Sequence, residues 1–126
     1  MDETLLERGL RLRREVLGAD RVERAYDDAD AFNRPFQELM TEYCWGACWG
    51  RRGLDKKTRS MLNLITLVAL NRRDEFKLHV GGALENGVSE EEIQEILIQA
   101  AIYCGIPAAV SAFKDASEVL AARRAG

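Results

Sequence analysis

The run Ser89-Glu90-Glu91-Glu92-Ile93-Gln94-Glu95-Ile96-Leu97-Ile98-Gln99-Ala100-Ala101-Ile102-Tyr103-Cys104 decides the fold class. Ser89 followed three residues later by Glu92 is a capping box, in which each side chain satisfies a backbone N–H that the helix start leaves orphaned. Ile93, Ile96, Leu97, Ala100, Ala101 and Cys104 then recur at three- and four-residue spacing, the stripe of a helix. Gly105-Ile106-Pro107 breaks it. Ile98 and Ile102 lie off the stripe, so this helix carries more apolar surface than one core face needs.

The same period extends to both sides. Upstream, Asn71-Arg72-Arg73-Asp74 opens a helix with Phe76, Val80, Ala83 and Leu84 on its stripe, and Asn86-Gly87 ends it. Before it, Asp55 suits the N-cap of a helix running through Lys57 to about Leu70. From Met61 to Leu70 only Asn63 and Thr66 are polar, which predicts burial on all sides. Pro35 suits the first turn of a helix to about Trp49, with Phe36, Leu39, Met40, Tyr43 and Cys44 as its apolar stripe. A short helix over Arg21 to Asp28 presents Val22, Ala25 and Tyr26. The first helix carries Leu5, Leu6, Leu10, Leu12, Val16 and Leu17 and stops at Gly18. The last presents Ala109, Phe113, Ala116 and Leu120 before Arg123-Arg124. Period-two alternation is scarce, so the expectation is an all-α single domain over residues 1–126 with about six helices. Two helices with surplus apolar surface predict a homo-oligomer, because a monomer would expose those patches.

A length of 126 residues suffices for one core without staples. With 47% apolar and 31% charged residues the balance is that of a soluble protein, and a net charge of −3 argues against an electrostatic nucleic-acid binder. No apolar run approaches the eighteen or so residues of a membrane span. Met1-Asp2-Glu3-Thr4 is wrong for a signal peptide, so a cytoplasmic location is expected. Cys44, Cys48 and Cys104 form no C-x-x-C and are expected to be buried free thiols. One histidine and three scattered cysteines do not compose a zinc site, and Gly-rich phosphate loops are absent. No metal is expected.

Glu75 and His79 are four residues apart and share a helix face. A carboxylate beside an imidazole favours the protonated ring, which would keep a general acid available near neutral pH. The same spacing also fits a plain surface pair. Arg51 and Arg52 in a loop, Arg59, and Arg72 and Arg73 before His79 form a local cationic exception in an acidic chain. Helical spacing lets Arg72, Glu75 and His79 share one face. Guanidinium groups clamp carboxylates bidentately, so an anionic small molecule fits, as does the alternative of solvated helix-end charges. Tyr43, Trp45 and Trp49 gather before Arg51 and fit either a pocket wall or ordinary core.

Glu38 to Pro107 resembles the carboxymuconolactone decarboxylase family, in particular the γ-carboxymuconolactone decarboxylases of protocatechuate catabolism. The blocks that carry the resemblance are Arg8-Gly9, Arg13-Arg14-Glu15-Val16-Leu17-Gly18, Phe32-Asn33 and Phe36-Gln37-Glu38. Trp45-Gly46, Trp49, Arg52, Gly53-Leu54 and Thr58-Arg59-Ser60 follow. The most specific are Ala69-Leu70-Asn71-Arg72, Glu75-Phe76-Lys77-Leu78-His79, Asn86-Gly87-Val88 and Ala101 to Ala109. The resemblance implies an alkylhydroperoxidase-D-like helical fold and assembly as a hexamer. In that wider group a C-x-x-C-x-x-x-H motif carries redox chemistry. Aligned on His79, its cysteines fall on Arg72 and Glu75, so the thiol pair is missing and peroxidase chemistry with it.

What the resemblance implies instead is decarboxylation, without a cofactor, of a dianionic lactone to 3-oxoadipate enol-lactone and CO₂. His79 would donate the proton, Glu75 orient and charge it, and Arg72 hold a carboxylate or the developing enolate oxygen. Arg51, Arg52 and Arg59 are candidates for the other carboxylate, and Trp45 or Tyr103 for an apolar niche around the departing one. A differently specific or non-catalytic oligomeric binding protein on the same scaffold is the alternative.

Overall fold

A computed structural model describes residues 2–126, and among them there are helices and no strands. The order is α1 (Leu5–Leu17), α2 (Ala19–Asp27), α3 (Arg34–Leu39) running directly into a π-helix (Met40–Cys48), then α4 (Lys56–Ala69), α5 (Arg73–Glu85), α6 (Glu90–Tyr103) and α7 (Ile106–Ala125). The all-α expectation holds, with seven α-helices where about six were expected. No helix among the described residues is long and apolar enough to cross a membrane. The helices group into two compact units, one through Asp55 and one from Lys56 onward.

In the first unit, a capping box of Thr4 and Glu7 starts α1. Gly18, at φ 93, ends α1 and begins α2, a left-handed turn that suits glycine. Leu12 and Val16 of α1 pack against Trp45 and Trp49, whose rings stack at 5.0 Å. The expected stripe of Phe36, Leu39, Tyr43 and Cys44 is exposed instead, with Met40 half-buried. The buried positions are Thr41, Trp45, Gly46 and Trp49. The physical reason is the π-helix: its i→i+5 bonding, as in Trp49 N–H to Cys44 C=O at 3.1 Å, widens the turn. The buried stripe then repeats at four to five residues, and a reading at 3.6 residues per turn selects the wrong face.

Two glycines let α1 cross this segment at backbone distance. A Cβ at Gly9 would collide with the Thr41 carbonyl oxygen, and one at Gly46 with the Leu5 carbonyl. Arg13, buried in the same contact, donates to Thr41 Oγ1 at 3.1 Å and lies 5.8 Å from the Tyr26 ring centroid. Burial lowers its pKa below the ordinary arginine value.

In the second unit, Leu64 and Val68 of α4, Phe76, Val80 and Ala83 of α5, Ile93, Leu97 and Ala100 of α6, and Ala112 and Ala116 of α7 form one core. The capping box Ser89–Glu92 is present, with bonds of 2.9 and 3.0 Å. Helix α5 closes at Asn86, and Gly87 follows at φ 91. Burial of α4 on all sides is not observed: Leu62 is exposed, as is Leu70 just beyond the helix end. Ile98 and Ile102 of α6 are exposed as well, as their off-stripe positions predict. Phe113 sits at the edge of the core rather than inside it.

An aspartate takes a core position on α7 that the apolar pattern did not reveal. Asp115 is 1% exposed and receives two hydrogen bonds from Arg73, both 2.9 Å, with Lys77 at 3.8 Å. Those Arg73 bonds hold its carboxyl below the usual carboxylate range, against the opposing effect of burial. Arg73 is therefore committed to tying α5 to α7.

The cysteines depart from expectation too. Cys44 and Cys48 are exposed residues and Cys104 is half-buried. Burial at the Cys44 thiol, with Cys48 nearby, pushes its pKa up, the opposite of a redox-active thiol.

Replacing Gly9 by alanine forces two backbones apart and is expected to cost about 2–3 kcal/mol, as overpacking typically does. Gly53→Ala, where a Cβ would meet nothing within 4 Å, is the matched control and is expected to unfold at the wild-type urea midpoint. Equal midpoints for the two variants would show that the close crossing carries no stability.

Candidate active site

His79 lies on α5 two residues beyond Lys77. The stripe that faces α7 is occupied by Arg73 and Lys77, paired with Asp115 and Glu118, and by Glu85, paired with Arg123. Two residues along a helix turn through more than half a revolution, so His79 looks away from α7. It faces α4, where Asn63 Nδ2 stands 3.5 Å from Nδ1. Helices α4 and α5 run antiparallel, as shown by the second link between them, Asn86 Nδ2 to Ser60 Oγ at 2.9 Å.

His79 is half-buried, flanking the core as its position beside the Phe76–Val80 stripe implies. Glu75, one turn earlier, is exposed. The expectation that Glu75 keeps the ring charged near neutral pH is corrected here. Burial lowers the His79 pKa and outweighs the opposing pull of the Glu75 carboxylate. The shift favours the neutral ring.

The arginines are placed differently from one another. Arg72 is exposed and forms the N-cap of α5, with φ −101 and ψ 78, outside helical geometry. Its N–H donates to the Leu67 carbonyl at 2.9 Å, and its own carbonyl accepts from Phe76 at 2.8 Å. The preceding Asn71 is left-handed, at φ 57, which turns the chain sharply between α4 and α5. The simple helical register that puts Arg72 on one face with Glu75 and His79 therefore does not apply to it. Arg59 is half-buried on α4, one turn before Asn63. Arg51 and Arg52 are exposed in the first unit, just beyond the π-helix.

Trp45, at 3% exposure, is spent on the first unit's core. Tyr103, at 82%, projects from the last turn of α6. Within the second unit, then, the structure brings His79, Glu75 and Asn63 together at the α4–α5 contact. Asn63 was not among the candidate residues and stands in the sequence as a polar exception in an apolar run. That exception was its signal.

Two open grooves in the second unit suit a different charge. One of about 260 Å³ between α6 and α7 is lined by Glu90 and Glu91 among apolar residues. Another of about 320 Å³ between α4 and α6 is lined by Glu91, Glu92 and Glu95. Both repel anions.

The sequence profile of the carboxymuconolactone decarboxylase family matches residues 34–118, two-thirds of the chain, including α4, α5 and α6. The chain belongs to the carboxymuconolactone decarboxylase family. It is 37% identical over 118 residues to the 4-carboxymuconolactone decarboxylase of Acinetobacter baylyi, covering 94% of this chain and 88% of that one. It is 45% identical over 108 residues to the nitrosuccinic acid decarboxylase of Metarhizium robertsii, covering 86% and 76%. An uncharacterised 15.0 kDa protein of Paracoccus denitrificans is 33% identical over 84 residues, 65% of this chain and 63% of that protein.

Depression of the His79 pKa has a consequence for stability whose sign is fixed. The unfolded chain takes up a proton near the ordinary value of about 6.5, the folded one only at lower pH. This contribution is complete above the unfolded value and is lost as pH falls through the folded one. Urea unfolding at pH 7 and pH 5.5 is expected to show a smaller loss of stability for His79→Gln than for wild type. A larger loss in the variant would mean that the ring is charged in the folded protein.

Proposed function

We propose that this protein is a 4-carboxymuconolactone decarboxylase, converting γ-carboxymuconolactone to 3-oxoadipate enol-lactone and CO₂ in the protocatechuate branch of the β-ketoadipate pathway. The observation that carries the proposal is a half-buried histidine, the only one in the chain, at the α4–α5 contact of a member of this family. In the reaction the bond from the ring carbon to the carboxylate breaks, and its electron pair moves through the conjugated double bond to the lactone carbonyl. The conjugated lactone is itself the electron sink, so the reaction asks for no cofactor. A proton then goes to the α-carbon.

His79 supplies that proton. A dianionic substrate beside the ring favours its charged form and offsets the cost of burial, so the proton is taken up with the substrate and handed to it. Glu75 orients the ring. Arg72, with Arg59 as a further cation, holds the acetate arm and the developing enolate oxygen. Tight binding of the departing carboxylate would stabilise the ground state, so that group belongs in an apolar niche, for which the exposed Tyr103 is the candidate within this unit.

The exposed Leu62, Leu70, Ile98 and Ile102 support self-association, for which a hexamer is the proposed count, and the cytoplasm is the proposed location.

A second reading is favoured by the 45% identity to a nitrosuccinic acid decarboxylase. Nitrosuccinate shares the required chemistry: it carries two carboxylates, and loss of the one on the nitro-bearing carbon leaves a nitronate, again with the sink inside the substrate. A binding protein without turnover is the remaining alternative.

Assaying both compounds decides among these readings. Turnover of the lactone with the higher kcat/KM supports the first, and a higher value for nitrosuccinate supports the second. Ligand-induced thermal stabilisation without turnover leaves the binding protein. His79→Ala is expected to lower kcat by about 100-fold or more, the usual scale of a lost general acid, with the assembly state unchanged by sedimentation. Arg72→Lys is expected to lower kcat/KM by about tenfold or more. Wild-type kcat in His79→Ala would remove His79 from the chemistry.

A further inference from the structure

Cys44 and Cys48 stand four residues apart on the π-helix, and both are exposed residues. The widened turn of that helix takes four to five residues, so positions four apart lie nearly above one another. Trp45 and Trp49, at the same spacing one residue further on, show the result: their rings stack at 5.0 Å. The cysteine row lies beside the tryptophan row, on the side turned to solvent. Electrostatics agree, since Cys48 is among the groups that raise the Cys44 pKa, an effect of short range.

Helix neighbours at this spacing hold their Cβ atoms about 5–6 Å apart. A disulfide needs about 3.5–4.5 Å, so the helix must distort before the two sulfurs can bond to each other. A single atom placed between them closes the gap without moving the backbone. Its identity follows from what else is near. Among the described residues no three His, Cys, Asp or Glu side chains gather to hold a metal, so zinc, which takes four ligands, is poorly served. Two thiolates without a harder ligand beside them select a soft ion such as Cu(I).

We propose that Cys44 and Cys48 form a two-thiolate clip for a soft, two-coordinate cation, with Cu(I) as its occupant. Each sulfur gives its proton to solvent and an electron pair to copper, and copper remains Cu(I) throughout. At rest, burial and the neighbouring sulfur keep Cys44 protonated. A cation between the sulfurs removes their mutual repulsion, and because protons are released, binding strengthens as pH rises. A thiol is a weak hydrogen-bond donor, so contacts that its hydrogen makes elsewhere are given up at little cost. Cys104, half-buried in the second unit, takes no part. The clip does not depend on the decarboxylase reading.

Anaerobic titration of the reduced protein with Cu(I) held by bicinchoninate, a coloured chelator, tests the clip. Wild type and Cys104→Ser are expected to withdraw copper one-to-one with the chain, and Cys44→Ser and Cys48→Ser to withdraw none. In copper-loaded wild type, alkylation read by mass spectrometry is expected to spare Cys44 and Cys48, which are modified in the copper-free protein; this readout requires no variant to fold. No withdrawal by wild type, copper retained by either single variant, or alkylation of both thiols at the copper-free rate overturns the proposal. So does a sedimentation coefficient that rises on loading, because the ion would then join two copies rather than two positions of one helix. Zinc at the same concentration is expected to leave both thiols open to alkylation, and equal protection by zinc contradicts the two-coordinate assignment.

Discussion

The contact between α4 and α5 is the constraint on which the site depends. Leu64 and Val68 on one helix and Phe76, Val80 and Ala83 on the other are almost wholly withdrawn from water. This packing leaves His79 neither in the core nor in solvent, and the partial burial lowers its pKa. The same packing brings Asn63 to Nδ1, and the left-handed Asn71 between the helices puts Arg72 at the mouth of α5. Loosening the contact would disturb His79, Asn63 and Arg72 together.

Charge is divided between holding the fold and serving the site. Arg73 and Lys77 are tied to Asp115 and Glu118, and Arg123 to Glu85, so these cations serve helix packing. Exposed Arg72 has no such structural tie through its side chain among the ion pairs described for α5. The grooves beside α6 carry glutamates and disfavour an anion.

Much of this was legible in the sequence because the underlying signals are local. The Ser89–Glu92 capping box, the Asn86-Gly87 stop and the Phe76–Val80–Ala83 stripe each follow from spacing along one helix, and each is found. The failures have a common cause in non-local or irregular geometry. The π-helix changes the period, so Tyr43 and Cys44 are exposed where Trp45 and Trp49 are buried. Asp115 is invisible to apolar patterning because its partner lies 42 positions away in the chain. For the site, the Glu75–His79 spacing marks the pair, but not the sign of the pKa shift. Spacing reports which charge is near, whereas burial, which proved larger, is a property of the packed helices. Asn63 shows the same limit, since its only mark in sequence was polarity in an apolar run.

The central claim is that His79 rests neutral and acquires its proton with the substrate's charge. Calorimetric titration of the protein at pH 7 with a saturated dicarboxylate, which has no electron sink and is not turned over, measures this directly when run in buffers of different ionisation enthalpy. The account requires net uptake approaching one proton per site in wild type and none in His79→Gln. Binding to wild type with no proton exchanged would contradict it.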